Sequence, residues 1–155
     1  MVFDVMNLLT VPGQHEYGGK PFPLAIKAPE GFLSEGCEWA RGVAGELSKA
    51  AFKHGAVLVR GLPITSPEDF DTIVRAFNYP NFSYADSLSN AYRINYTPRV
   101  FSANEAPSDI TIFLHHEMAQ TPIYPSKLFF FCQKAATEGG TTPICRSDVL
   151  WERLK

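Results

Sequence analysis

The sequence predicts an α+β fold, with helices concentrated in its first half and short strands in its second. Apolar side chains repeat at helical spacing over about 20 residues, and several short, continuously apolar runs follow further along the chain. Twelve Phe and twelve Pro among 155 residues favour a β-rich, loop-rich body with aromatic packing over a helix bundle. This length suits one domain over residues 1–155. Its 45% hydrophobic and 19% charged content is that of a chain with a packed core.

Composition excludes several classes of partner. The net charge is −2 and there is no basic run, so neither nucleic acid nor an anionic membrane is an expected partner. No basic region precedes the first apolar residues, and no apolar run approaches about 20 residues. We therefore expect neither a secretory signal nor a transmembrane segment, and a cytoplasmic location. Three cysteines without a CxxC pair are predicted to be small buried side chains: Cys37, Cys132 and Cys145.

The first half of the chain carries clear helix and strand signals. Residues 1–30 are rich in Pro and Gly and predict an irregular arm with one short strand. Ser34 can cap a helix that runs to about His54, where Gly55 would end it. The apolar run 56–60 predicts a buried strand. The stretch Ser66-Pro67-Glu68-Asp69 then predicts the start of a second helix, with a serine cap and acids in the first turn.

The second half predicts a long loop and then strands. Residues 79–109 have no sustained period, and a segment of this kind often has a functional role. Its notable polar groups, each of which is more often an ordinary surface contact, are Arg93, Arg99 and Asn104. Strands are predicted at Ile110–Met118, Lys127–Cys132 and Thr142–Cys145. A final helix is predicted to be capped by Ser147-Asp148.

The stretch Leu114–Gln120 carries the candidate chemistry. If it is a strand, His115 and Glu117 project to one face and His116 to the other. An imidazole beside a carboxylate is half of the 2-His-1-carboxylate triad of non-haem Fe(II) oxygenases, which adds a distant second His. On spacing alone, the same pattern fits an ordinary polar strand face.

Three motifs together resemble the TauD/TfdA-like family of Fe(II)/2-oxoglutarate-dependent dioxygenases, and above all its plant clavaminate synthase-like branch. They are residues 55–61, the His-His-Glu-Met-Ala-Gln stretch 115–120 and the Gly-Gly-Thr-Thr-Pro-Ile stretch 139–144. The stretch Tyr124–Phe130 is similar to the Phe-Pro-Ser-Lys-Leu-Phe-Phe of that branch. The resemblance covers the chain from about Val11 to Lys155. It implies a double-stranded β-helix (jelly-roll) with flanking helices.

The resemblance also implies a chemistry and its residues. His115 and Glu117 would be two of the three protein ligands to Fe(II), and Thr142 would help to bind the carboxylate of the co-substrate 2-oxoglutarate. The implied reaction converts 2-oxoglutarate and O₂ to succinate and CO₂ while a small organic substrate is hydroxylated or otherwise oxidised. Without the resemblance, Thr142 also fits a β-branched strand residue.

The family pattern needs a further His and an Arg that pairs with the far carboxylate of 2-oxoglutarate, both well after the Gly-Gly-Thr turn. No His follows His116, and Arg146 and Arg153 come too early. We therefore expect these residues to be the N-terminal portion of the dioxygenase domain, with an incomplete jelly-roll. We also expect weakened iron binding, no activity of this chain alone, and self-association through open sheet edges.

Two other readings stay open. A non-catalytic truncated paralogue could act as an interaction module that pairs its open edges with a partner. A small cupin-like metal binder could complete its site with His15, His54 or His116, although the first two stand in weak ligand contexts. Metal affinity unchanged by His115→Ala would favour the cupin-like reading.

Overall fold

The computed structural model describes residues 8–82, 92–107 and 109–155. Across these residues the chain forms five short strands and three helices, so the predicted α+β class is confirmed. It divides into two compact units, Met1–Ile64 with Cys145–Lys155, and Thr65–Ile144. The prediction of one domain over residues 1–155 stays a prediction. None of the helices in the described ranges is long and apolar enough to cross a membrane.

The first unit contains two small sheets. Their strands are β1 (Leu8–Leu9), β2 (His15–Tyr17), β3 (Lys20–Phe22), β4 (Leu24–Lys27) and β5 (Val57–Arg60). In the larger sheet β4 lies in the centre, antiparallel to β1 and parallel to β5. β2 and β3 form an antiparallel hairpin. The predicted irregular arm with one short strand is therefore wrong for residues 8–30, which contain four strands paired with one another and with β5. The predicted strand 56–60 is confirmed as β5.

Helix α1 (Leu33–His54) connects the two parallel strands and confirms the predicted helix. Its buried apolar residues recur every three or four positions, which places them on one face: Ala40, Val43, Leu47 and Ala50. α1 begins after Phe32 rather than Ser34, because the Glu35 carboxylate accepts the Phe32 N–H at 3.0 Å. Gly55, with φ +84°, ends the helix as predicted.

Helix α2 (Pro67–Ala76) belongs to the second unit and begins where the sequence predicts. The Ser66 hydroxyl accepts the Asp69 N–H at 3.1 Å, and the Asp69 carboxylate accepts the Ser66 N–H at 3.2 Å. Hydrogen bonds from Thr65, and then from Ser66, lower the pKa of Asp69. These contacts satisfy N–H groups that a helix leaves unpaired at its start, which explains why the sequence signal is reliable here.

The three strands predicted in the second half are wrong. Residues 109–146, all of them described, contain neither helix nor strand. Their apolar side chains are largely exposed: Phe113 is 79% and Phe130 75% accessible. A strand is stable only when a neighbour pairs with its N–H and C=O groups, and within the described residues these runs have no such ladder. Cys132 and Cys145 are likewise exposed, contrary to prediction.

Helix α3 (Ser147–Leu154) confirms the last predicted helix, although its N-cap is Arg146 rather than Ser147. The Arg146 guanidinium donates from Nε to Asp148 Oδ1 at 2.7 Å. Its side chain also packs over Gly55, in the space that a Cβ would take, and lies 6.0 Å from the centre of the Phe22 ring. Arg146 therefore fastens the start of α3 to the rest of the first unit. The guanidinium lowers the pKa of the Asp148 carboxyl from 3.8 to about 2.

This ion pair predicts a dependence of stability on pH. Because the folded pKa of Asp148 lies below its ordinary value, its stabilising contribution is present above pH 3.8 and is lost as the pH falls towards 2. Urea unfolding between pH 5 and pH 2.5 should show that Asp148→Asn loses less stability on acidification than the wild type. In an Arg146→Gln background the same substitution should have a smaller effect on the loss, because the guanidinium is the largest cause of the lowered Asp148 pKa and the Val149 and Asp148 N–H groups are smaller ones. Parallel curves for wild type and Asp148→Asn would contradict the prediction.

Candidate metal centre

The candidate stretch 114–120 is a turn rather than a strand. Residues Glu117–Gln120 form the turn, with the Ala119 N–H bonded to the His116 carbonyl at 3.2 Å. Met118 has φ +58°, in the left-handed region that side chains other than glycine rarely adopt, and its side chain is only 3% exposed. A left-handed residue cannot continue a strand, so no strand can extend through Met118. Residues 110–116 lack strand structure because no described neighbour pairs with them. Because these residues are not a strand, alternation along a strand does not determine the direction of the His116 side chain.

The turn nevertheless brings His115 and Glu117 together, as predicted. His115 Nε2 lies 3.7 Å from Glu117 Oε2. The other ring nitrogen, Nδ1, lies 2.7 Å from the Phe113 carbonyl oxygen. A carbonyl can only accept, so Nδ1 is the donor in this contact, and in the corresponding neutral tautomer Nε2 carries the lone pair. A backbone carbonyl behind the ring is the usual support of a metal-binding histidine.

Glu117 is held from its other side by Arg93. Arg93 Nη2 donates to Glu117 Oε1 at 3.1 Å, and the two side chains are only 17% and 15% exposed, respectively. This pair is much less hydrated than a surface ion pair, so its geometry is better defined. Arg93 takes Oε1, and Oε2 is the oxygen that faces the imidazole.

These donor atoms fit a divalent metal ion. A neutral nitrogen and a carboxylate oxygen that face each other both carry lone pairs, and a cation or a proton between them holds such atoms together. Two ligands at right angles, each about 2.1 Å from one ion, lie about 3.0 Å apart. The observed 3.7 Å would have to shorten by about 0.7 Å. His115 is 57% exposed at its side chain, so it has room to make this small movement.

The other predicted site residues are not joined to this pair by any described contact. Thr142 is exposed, in a segment without helix or strand, and its role toward a co-substrate stays a prediction. His54 is buried with Nδ1 2.9 Å from the Pro21 carbonyl, and His15 is exposed on β2. Within the described residues, no three His, Cys, Asp or Glu side chains form a group suited to a metal ion. The second unit therefore brings two candidate ligands together, His115 and Glu117.

The sequence alone favours an ordinary surface contact for the Arg93 side chain. It is instead half-buried against Glu117, 24 residues away along the chain. No local pattern predicts such a contact. The sequence offers no signal for it, since Arg99 lies nearer to Glu117 along the chain than Arg93 does.

Comparison with known proteins identifies the family to which this motif belongs. A sequence model of the Taurine catabolism dioxygenase TauD, TfdA family matches residues 19–155, and the chain belongs to this family. The predicted resemblance is therefore confirmed.

Individual relatives agree with this assignment. The chain is 38% identical over 152 residues to a clavaminate synthase-like protein of Arabidopsis thaliana, a match that covers 94% of the chain and 46% of that protein. It is 31% identical over 90 residues to the dapdiamide synthesis protein DdaC of Enterobacter agglomerans, which covers 58% of the chain and 27% of that protein. The chain thus spans less than half the length of either relative.

Proposed function

We propose that this chain contributes His115 and Glu117 as two ligands to the Fe(II) site of a 2-oxoglutarate-dependent oxygenase that oxidises a small organic molecule. The observation that carries the proposal is the pair of lone-pair atoms, His115 Nε2 and Glu117 Oε2, facing each other at 3.7 Å. Membership in the TauD/TfdA family supports it. The jelly-roll fold is likewise proposed from the family.

Each side chain has a distinct task in this proposal. The Phe113 carbonyl fixes the protonated nitrogen of His115, so that Nε2 is available as a ligand. Glu117 supplies a negative charge, which two neutral imidazoles alone could not. Thr142 is proposed to donate its hydroxyl proton in a hydrogen bond to the 2-oxoglutarate carboxylate. When bound, Fe(II) and 2-oxoglutarate would supply the activation of O₂ and the oxidative decarboxylation.

Anaerobic titration with Fe(II), with and without 2-oxoglutarate, tests this proposal. A chelate of the two gives a visible metal-to-ligand charge-transfer band. We expect a weak band, because affinity depends on the number of ligands and this pair supplies two. His115→Ala should abolish the band, and the matched control His116→Ala should retain it. Loss of the band in both variants would contradict the assignment of His115 as the ligand.

The same titration separates the alternative function, a non-catalytic interaction module. That alternative draws support from the exposed apolar side chains of residues 110–130, among them Phe113 and Phe130. An absent band in a folded wild-type chain would contradict the oxygenase proposal and favour the module. A band that depends on His115 would favour the oxygenase.

A further inference from the structure

We propose that Arg93 is a positioning residue of the metal centre: its guanidinium holds Oε1 of Glu117, so that Oε2 is the one oxygen presented toward Nε2 of His115. The inference rests on the proposed function, because it assigns Arg93 a task at that site. Arg93 cannot be a ligand, since a guanidinium has no lone pair to give. It therefore acts through Glu117.

Arg93 is itself held in place by a short pair of antiparallel segments. The Ile94 N–H donates to Ser102 Oγ at 3.0 Å, and the Ser102 N–H donates to the Ile94 carbonyl at 2.8 Å. An isolated β-bridge joins Asn95 to Phe101. The guanidinium carbon lies 5.9 Å from the centre of the Phe101 ring, and the face of an aromatic ring attracts a cation. These contacts fix the backbone next to Arg93, and with it the position from which the guanidinium reaches Glu117.

Orientation, rather than charge, is the useful property of this contact. A positive charge beside a divalent cation repels it, so the charge of Arg93 alone would weaken metal binding. What the guanidinium adds is a fixed carboxylate that binds through one oxygen and leaves other positions of the ion open. Residues that hold a metal ligand in this way typically change metal affinity by about 10–100-fold when replaced.

The substitution Arg93→Lys tests the inference, because it keeps the charge and removes the planar fork. The probe is Co(II) alone, titrated into the whole chain, with the His115→Ala variant defining specific binding. We expect Arg93→Lys to weaken the specific binding by about 10–100-fold. The matched control is Arg99→Lys: Arg99 is also half-buried and donates to the Tyr79 carbonyl at 3.4 Å, and its replacement should leave affinity unchanged. Circular dichroism and the urea midpoint would verify that each variant is folded.

If Arg93 acts through charge, Arg93→Lys will bind like the wild type and Arg93→Gln will bind more tightly, and this result overturns the inference. A second readout needs no metal. In the NMR spectrum of the metal-free chain, Arg93→Lys should shift the Glu117 carboxyl carbon and the His115 ring nitrogens, whereas Arg99→Lys should not. Unmoved signals overturn the inference. A wild-type chain without His115-dependent Co(II) binding overturns the proposed function, and the NMR comparison still decides whether Arg93 orients Glu117.

Discussion

Replacing Glu117 with Ala is expected to abolish His115-dependent metal binding and to destabilise the second unit at the same time. The metal effect follows because one of the two facing donor atoms is removed. The stability effect follows because Arg93, only 17% exposed, would lose its carboxylate partner. Breaking a fully buried pair costs about 3–5 kcal/mol, and for this partly buried pair we expect about 2–3 kcal/mol. Urea unfolding and Co(II) titration of the same sample would measure the two effects.

A double-mutant cycle separates the ion pair from other consequences of the substitution. Once Arg93→Met has removed the charge, Glu117→Ala no longer takes a carboxylate partner away from a largely buried guanidinium. The double variant should therefore be less destabilised than the sum of the two single variants. Strict additivity would mean that the contact between Arg93 and Glu117 contributes nothing to stability. The isosteric Glu117→Gln should lose metal affinity while keeping most of the packing.

Truncation of Ile26 to Ala is expected to be the most damaging change in the first unit. Ile26 lies in the central strand β4, is fully buried, and is paired with both Leu8 and Val59. Removing such a side chain typically costs about 2–5 kcal/mol, through lost burial and the cavity left behind.

Graded variants make this prediction precise when unfolding free energies are measured in urea. Ile26→Val should cost about 0.5–1.5 kcal/mol. Phe52→Ala, at a side chain on α1 that is 94% exposed, should change stability by less than about 0.5 kcal/mol. Equal effects of Ile26→Ala and Phe52→Ala would show that β4 is not the centre of this core.

The two longest helices were predicted correctly because their signals are local. α1 has apolar spacing and a terminal glycine, and α2 has the Ser66 cap followed by Pro67. In both helices, residues within a few positions of an end bond the backbone N–H or C=O groups that the helix itself leaves unpaired there. Such signals do not depend on the rest of the chain, so they remain valid in the folded structure.

The strands of the second half failed because an apolar run does not determine its own pairing. Phe129 and its neighbours have strong strand preference, but that preference mainly measures how well a side chain fits a sheet that already exists. Phe129 instead contacts the Phe77 ring, at 5.2 Å between ring centres, without any ladder. Met118 has a left-handed backbone, through which no strand can continue, and a methionine in the sequence gives no indication of that conformation.

The sequence predicts which residues form the candidate pair and does not predict the contacts that position them. The identity of His115 and Glu117 follows from their spacing and from family resemblance, and their proximity is observed although the strand that predicted it is absent. Arg93 could not be predicted, because its contact with Glu117 depends on how the loop of residues 92–107 folds back.

The division of the first unit along the chain has a consequence for protein synthesis. The residues of its sheets and of α1 have all been synthesised once Arg60 has left the ribosome, whereas α3 begins at Ser147, after the residues of the second unit in the sequence. At about 5–20 residues per second, the intervening chain takes roughly 4–17 seconds to translate. During that interval the Arg146 side chain, which packs over Gly55 and beside Phe22 in the folded chain, has not yet been synthesised. Most of the first unit is therefore synthesised early, and its last helix is added only after the whole second unit.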